Sequence, residues 1–164
     1  MFRPTAFAIP PAPLAITMAG LMPFFAAALA IWVFAGDPAR QAGAELALLA
    51  YAAVILSFLG GARWGVEIDS ASFEPPRWGA LSLSVLGSLV GWVVILIAVL
   101  GGLFPWLFLF MAAALALQWL WDMLSRRALP AWYEGLRALA TAGAVSSLVF
   151  AWVVTAWPVL PTLG

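Results

Sequence analysis

Five long apolar runs separated by short polar gaps constrain this chain more than any other feature of its sequence. A helix crossing a hydrocarbon core of about 30 Å needs about 20 apolar residues, and each run supplies them. The runs extend roughly from Leu14 to Ala35, Ala44 to Ala62, Gly79 to Leu100, Leu103 to Trp121 and Ala138 to Pro158. Charges hardly enter them, and Glu45 stands at the very start of the second. Only 9% of the 164 residues are charged, against about 25% in a soluble domain. Such a chain cannot clothe a water-facing surface, so lipid must be its solvent. The expected fold is all-α: one transmembrane domain over residues 1–164, a polytopic bundle of five transmembrane helices. The first run is longer than the roughly 7–15 residues of a signal-peptide core, and only Arg3 precedes it as a basic residue, so it is expected to remain as a span.

The arginines sort onto two sides. Arg3, Arg63, Arg77, Arg126, Arg127 and Arg137 fall on one, and Arg40 stands alone on the other. By the positive-inside rule the six-arginine side faces the cytoplasm. That places the N-terminus in the cytoplasm and the C-terminus in the periplasm of a bacterial inner membrane. In a mitochondrion the matrix would take the cytoplasm's place. Tryptophan prefers the headgroup level. Trp64, Trp78, Trp119, Trp121 and Trp132 fall at the inner ends of the runs, and Trp32, Trp106 and Trp157 at the outer ends.

Net charge is zero and all seven basic residues are arginine. Nucleic acid is excluded as a partner, because its binding depends on neutralising many phosphates. Cysteine and histidine are both absent, which removes disulfides, thiolate nucleophiles and the commonest zinc and haem ligands. No cofactor and no metal is expected.

Gly101-Gly102 followed by Pro105 is turn chemistry and predicts a tight antiparallel hairpin of the third and fourth spans. Pro75-Pro76 ends any helix and forces an extended entry into the third. Pro130 suits a first helical turn, so the fifth helix should begin there, and Pro23 should kink the first. Helix seams in lipid are marked by small residues. Gly61, Gly65, Ser84, Gly87, Ser88 and Gly91 form the candidate seam, read first as packing within the chain and second as a homodimer contact on the third span.

Polar groups near lipid are costly, so their placement is informative. Arg63 ends the second span on the face where Gln118 and Asp122, one turn apart, end the fourth. Arg126 lies a further turn on, in reach of an i,i+4 pair. A structural polar clamp of Arg63, Glu67, Gln118 and Asp122 is expected, with Arg63 pairing Asp122 or Glu67. Its functional rival is a ligand or headgroup pocket built from Arg63, Trp64, Arg126, Arg127, Trp132 and Arg137, since arginine pairs bidentately with phosphate and carboxylate. Asp122 lacks the partners of a catalytic carboxylate. Asp37, Arg40 and Glu45 are read as a solvated outer loop, with Glu45 at the positive end of helix two. Ser57 should bond back to its own helix.

The segment Leu48 to Gly65, LLAYAAVILSFLGGARWG, resembles domain-of-unknown-function family 3429, as do AGLMPFF (Ala19 to Phe25) and LPAWYEGLRALAT (Leu129 to Thr141). The resemblance covers about residues 13–155. It implies a small multi-span protein of bacterial inner membranes or mitochondria and carries no established activity. It marks Arg63 as the position of functional interest, since many members hold a basic or histidine residue there.

These features lead to a non-catalytic accessory or assembly subunit that acts by helix association, with membrane lipids, other membrane subunits or a second copy as partners. The alternative is a binder or transporter of a lipid or hydrophobic small molecule, with a polar headgroup site at the cytoplasmic face. No enzyme is expected.

Overall fold

The computed structural model describes residues 9–70, 75, 77–124 and 130–157. Its five helices are α1 (Pro11–Val33), α2 (Pro38–Ser70), α3 (Trp78–Leu96), α4 (Trp106–Leu124) and α5 (Ala131–Ala156). All five are long and apolar enough to cross a membrane.

The helix bounds differ from the expected spans in one consequential place. The run chosen for apolarity stops at Ala62, but α2 continues to Ser70 and has 33 residues. At 1.5 Å per residue it is about 50 Å long, well beyond a hydrocarbon core of about 30 Å. Arg63 and Glu67 therefore lie within a helix, one turn apart, and both are buried. The helix also starts earlier than expected. Asp37 caps it by accepting the Arg40 N–H at 3.1 Å, with Pro38 as the first helical residue. Glu45 thus stands two turns inside α2 and is buried, rather than at the helix N-terminus.

The third helix runs on through a π-type turn, Ile97–Gly101, and stops at Gly102, which takes φ 117° and ψ 163°. That conformation is essentially reserved for glycine. α5 begins directly after Pro130, as the proline predicts. α1 is continuous through Pro23.

α2 touches all four other helices; α3 lies along it, α4 packs between α2 and α5, and α5 returns to α1. The α2–α3 seam is the closest. A Cβ on Gly60 would overlap the Ser84 carbonyl, one on Gly87 would stand 3.2 Å from the Leu56 carbonyl, and one on Gly91 would stand 2.9 Å from the Ala53 Cβ. Ser57 and Ser88 hydrogen-bond across this seam at 2.9 Å, so Ser57 does not bond back to its own helix. Gly61 and Gly65 take no part, for the space beside each is open to 4 Å. Helical rotation explains this: Gly60 is on the α3-facing side, and its neighbour is turned about 100° away.

The glycine turn is tight, but α3 and α4 do not form a close hairpin. α3 meets α4 far less than it meets α2, because the glycine seam draws it against α2. A cleft between α2, α3 and α4 results. The apolar core of Ile31, Leu48, Leu49, Leu107, Met111 and Leu148 fills the half of the bundle nearer the Gly102 turn. Toward the other end it gives way to buried polar groups.

Candidate functional site

α4 and α5 are antiparallel, so the last turn of α4 and the second turn of α5 share one depth. Asp122 and Arg137 occupy those turns, and Arg137 Nη2 donates to Asp122 Oδ2 at 2.6 Å. The parallel neighbour α2 brings Arg63 to the other oxygen, with Nε 3.5 Å from Oδ1. That contact is an ion pair without a hydrogen bond, since Oδ1 has no hydrogen-bond partner. Arg63 also stacks over Trp121, its Cζ 4.8 Å from the ring. All three ionic side chains are less than a tenth exposed.

Desolvating a charge is affordable only when it is paired. Two arginines against one carboxylate leave this group with net charge +1. Arg137 commits Nη2 to Asp122, while its Nε, also buried, has no partner.

Of the expected clamp, only Arg63 and Asp122 meet in this group. Glu67 accepts the Arg77 backbone N–H at 2.9 Å and the guanidinium through both oxygens, so it ties α2 to the start of α3. Gln118 is buried with its Nε2 unpartnered. Of the expected headgroup contacts, Trp64 is exposed, and the ring over which Arg63 stacks is that of Trp121. Trp132 is half-buried and packs edge-on against Tyr133. Arg126 and Arg127 lie outside the described residues.

A cleft of about 290 Å³ opens beside Arg137, between α1, α2, α4 and α5. Its floor includes Leu21, Phe24 and Leu115, all buried, and its rim includes Ile16 and Phe58, both exposed. Tyr133, Thr17 and Thr141 also line it. Two of its lining residues are held from α2 by Tyr51, which donates to the Gly20 carbonyl at 2.8 Å and meets Phe24 edge-on at 5.0 Å. A void of about 30 Å³ lies beside Arg63 and Asp122, large enough for one water.

A family model described as "Protein of unknown function (DUF3429)" matches residues 9–153. The chain belongs to this family. It is similar to "Transmembrane protein 69" of Xenopus tropicalis, with 35% identity over 132 residues, which takes in 80% of this chain and 50% of that relative. The chain thus spans half the length of the relative it matches. No solved structure matches. The interval matched by the DUF3429 model includes Arg63, Asp122 and Arg137 together with the cleft beside them. With five apolar helices and a relative named as a transmembrane protein, this DUF3429 chain is a multi-pass membrane protein.

Arg137 is among the expected headgroup contacts but not in the expected clamp: it precedes the last apolar run, although the helix start at Pro130 puts it two turns in, level with Asp122. Tyr51 shows only as a lone polar residue in an apolar run, with no local trace of its partner 31 residues away.

Proposed function

We propose that this protein binds an amphipathic anion, a long-chain carboxylate or phosphate, in the cleft between α1, α2, α4 and α5. The observation that carries the reading is the union of an apolar cleft with a buried cationic group at its wall. Arg137 lines the cleft, belongs to a group of net charge +1, and has a buried Nε without a partner. An anionic head beside the Arg137 guanidinium would balance that charge. The acyl chain would lie along Leu21, Phe24 and Leu115, entering from lipid past Ile16 and Phe58.

By the positive-inside rule this end of the bundle would face the cytoplasmic leaflet, in our reading that of a bacterial inner membrane, with the N-terminus inside and the C-terminus outside. Anionic lipid headgroups are the matching chemistry at that surface. A role as an assembly subunit draws less support. The seam glycines Gly60, Gly87, Gly91 and Gly143 are spent on contacts within the bundle, and the open pair Gly61 and Gly65 by itself names no partner.

The test is thermal unfolding and native mass spectrometry of the detergent-solubilised protein with oleate, lysophosphatidic acid or oleyl alcohol. At a hundredfold excess over Kd the anions should stabilise by about 2.7 kcal/mol and remain bound in the gas phase, and the alcohol should do neither. Ala140→Trp fills the cleft without touching the charges and should abolish the effect. An equal response to all three amphiphiles, or an unchanged response in Ala140→Trp, would remove the basis for the reading. Which of the two anions stabilises more distinguishes carboxylate from phosphate.

A further inference from the structure

The wall of the anion cleft stays polar for a full turn beyond the guanidinium. On α5, Tyr133, Arg137 and Thr141 line it at four-residue steps, so one face of the helix sets a phenol, a guanidinium and a hydroxyl in order of depth. On α1 the lining residue Thr17 stands opposite Thr141. Resting on the anion reading above, we infer that the ligand is an ester-linked glycerophosphate lipid. Its phosphate lies at Arg137, and its glycerol oxygens lie between Thr17 and Thr141.

Depth is the first observation that carries this. α1 and α5 run side by side in the same direction, for a Cβ on Gly135 would meet Ile9 and one on Gly143 would meet Leu21. Thr17 stands one turn before Leu21, and Thr141 just before Gly143, so the two threonines share a level to within about one turn. That level lies one turn past Arg137, about 6 Å along the helix axis. A similar length separates a phosphorus from the ester oxygen of the glycerol it esterifies. Past the threonines, Leu21 and Phe24 make the lining apolar, where an acyl chain belongs.

The hydroxyls are the second observation. A serine or threonine in a membrane helix commonly donates to a carbonyl of its own preceding turn. Ser84, Ser147 and Thr155 do so, to Ala80, Gly143 and Ala151. Thr17 and Thr141 do not. Both are half-buried, and neither hydroxyl has a hydrogen bond or is among the sealed, unpartnered atoms of the described residues. Each oxygen is therefore accessible, on a side chain that lines the cleft.

A hydroxyl left unmet in apolar surroundings is costly. A long-chain carboxylate would set methylenes between the threonines and meet neither, and an alkyl phosphate would do the same. A glycerol ester brings a carbonyl acceptor to that level, and a free glycerol hydroxyl both donates and accepts there. Of the amphipathic anions that suit Arg137, the glycerophosphate ester is the one that also suits Thr17 and Thr141.

The experiment titrates the intact, detergent-solubilised protein by native mass spectrometry with 1-oleoyl lysophosphatidic acid and with oleyl phosphate. The two share a phosphate monoester and a long chain, and differ in the glycerol ester. Lysophosphatidic acid should bind about tenfold more tightly, the effect of two modest hydrogen bonds. Thr17→Val combined with Thr141→Val keeps the shape of both side chains and removes both hydroxyls. It should bring the two ligands to one Kd without weakening oleyl phosphate. Glycerol 3-phosphate, the head without the chain, should not displace the lipid. Equal affinity of the native protein for the two phosphates overturns the inference, whether or not the valine variant folds. So does a preference that survives the double substitution. Displacement by glycerol 3-phosphate at equal concentration would assign the site to a soluble phosphate and overturn it likewise. Failure of the underlying anion reading looks different: neither phosphate binds better than oleyl alcohol, or Ala140→Trp leaves binding unchanged, and this inference falls with it. Equal binding of both phosphates that Ala140→Trp abolishes keeps the anion cleft and removes only the glycerol ester.

Discussion

Asp122 is held more closely by Arg137, at 2.6 Å, than by Arg63, at 3.5 Å. Only the first contact is a hydrogen bond, so the two cations stabilise the carboxylate unequally. Breaking a buried pair by removing one partner costs about 3–5 kcal/mol, because an uncompensated charge remains. Asp122→Ala leaves two arginines without their anion and should be the most destabilising change. Arg137→Gln should follow, and Arg63→Gln should cost least, since Arg137 still holds Asp122. Unfolding of the three variants in detergent gives the order directly. A larger loss for Arg63→Gln than for Arg137→Gln would reverse this assignment.

Neighbouring glycines on α2 should respond in opposite ways. Gly60 faces the Ser84 carbonyl with no room for a methyl group, whereas Gly65 faces open space. Gly60→Ala requires α2 and α3 to separate and should destabilise by about 1–3 kcal/mol, the cost of overpacking. Gly65→Ala meets nothing and gains helix propensity of up to about 1 kcal/mol. Thermal unfolding of the two single variants decides, and equal losses would contradict the seam described between α2 and α3.

Tyr51 joins α2 to α1 by a hydroxyl bond to Gly20, one turn ahead of Pro23, a residue that cannot donate to the helix. Tyr51→Phe deletes the hydroxyl and keeps the ring against Phe24. Interhelical hydrogen bonds in membranes average about 0.6 kcal/mol, with a ceiling near 1.7. The loss should fall in that range, whereas Tyr51→Ala should cost several-fold more through lost packing. A double-mutant cycle with Phe24→Ala isolates the ring contact.

The architecture was readable because hydropathy reports burial in lipid, and each of the five runs became a helix. What hydropathy could not register is a helix that leaves the lipid. Arg63 and Glu67 ended the second apolar run, yet they sit on a continuing helix, since arginine and glutamate are good helix formers. The Arg63–Asp122 approach followed from parallel helices at matched depth. The Arg137–Asp122 bond did not, because the clamp was drawn from the ends of the apolar runs, and Arg137 precedes the last of them even though the helix start at Pro130 puts it two turns into α5. Asp37-Pro38 carried a cap signature that locates the start of α2 and shows why Glu45 is not at its end. The clefts had no local trace at all, for they arise from how far the glycine seam displaces α3 from α4.

Glu67 links the end of α2 to the start of α3 through two kinds of contact with one residue, and these can be separated. The Arg77 backbone N–H stands at 2.9 Å from Glu67 Oε1, and the guanidinium Nε at 3.2 Å from the same oxygen. The carboxylate is buried, but the Arg77 side chain is 57% exposed. An ion pair this wet contributes about 0–1 kcal/mol. The backbone bond, made by an ionised acceptor at the positive end of α3, contributes about 1.5–3 kcal/mol. Arg77→Ala removes only the first and should leave amide exchange at residue 77 nearly unchanged. Glu67→Ala removes both and should speed that exchange by about 10–100-fold, the factor corresponding to the backbone bond. Hydrogen-exchange mass spectrometry across the α2–α3 connection measures both variants. If Arg77→Ala accelerated exchange as much as Glu67→Ala, the guanidinium rather than the backbone bond would be what anchors the start of α3.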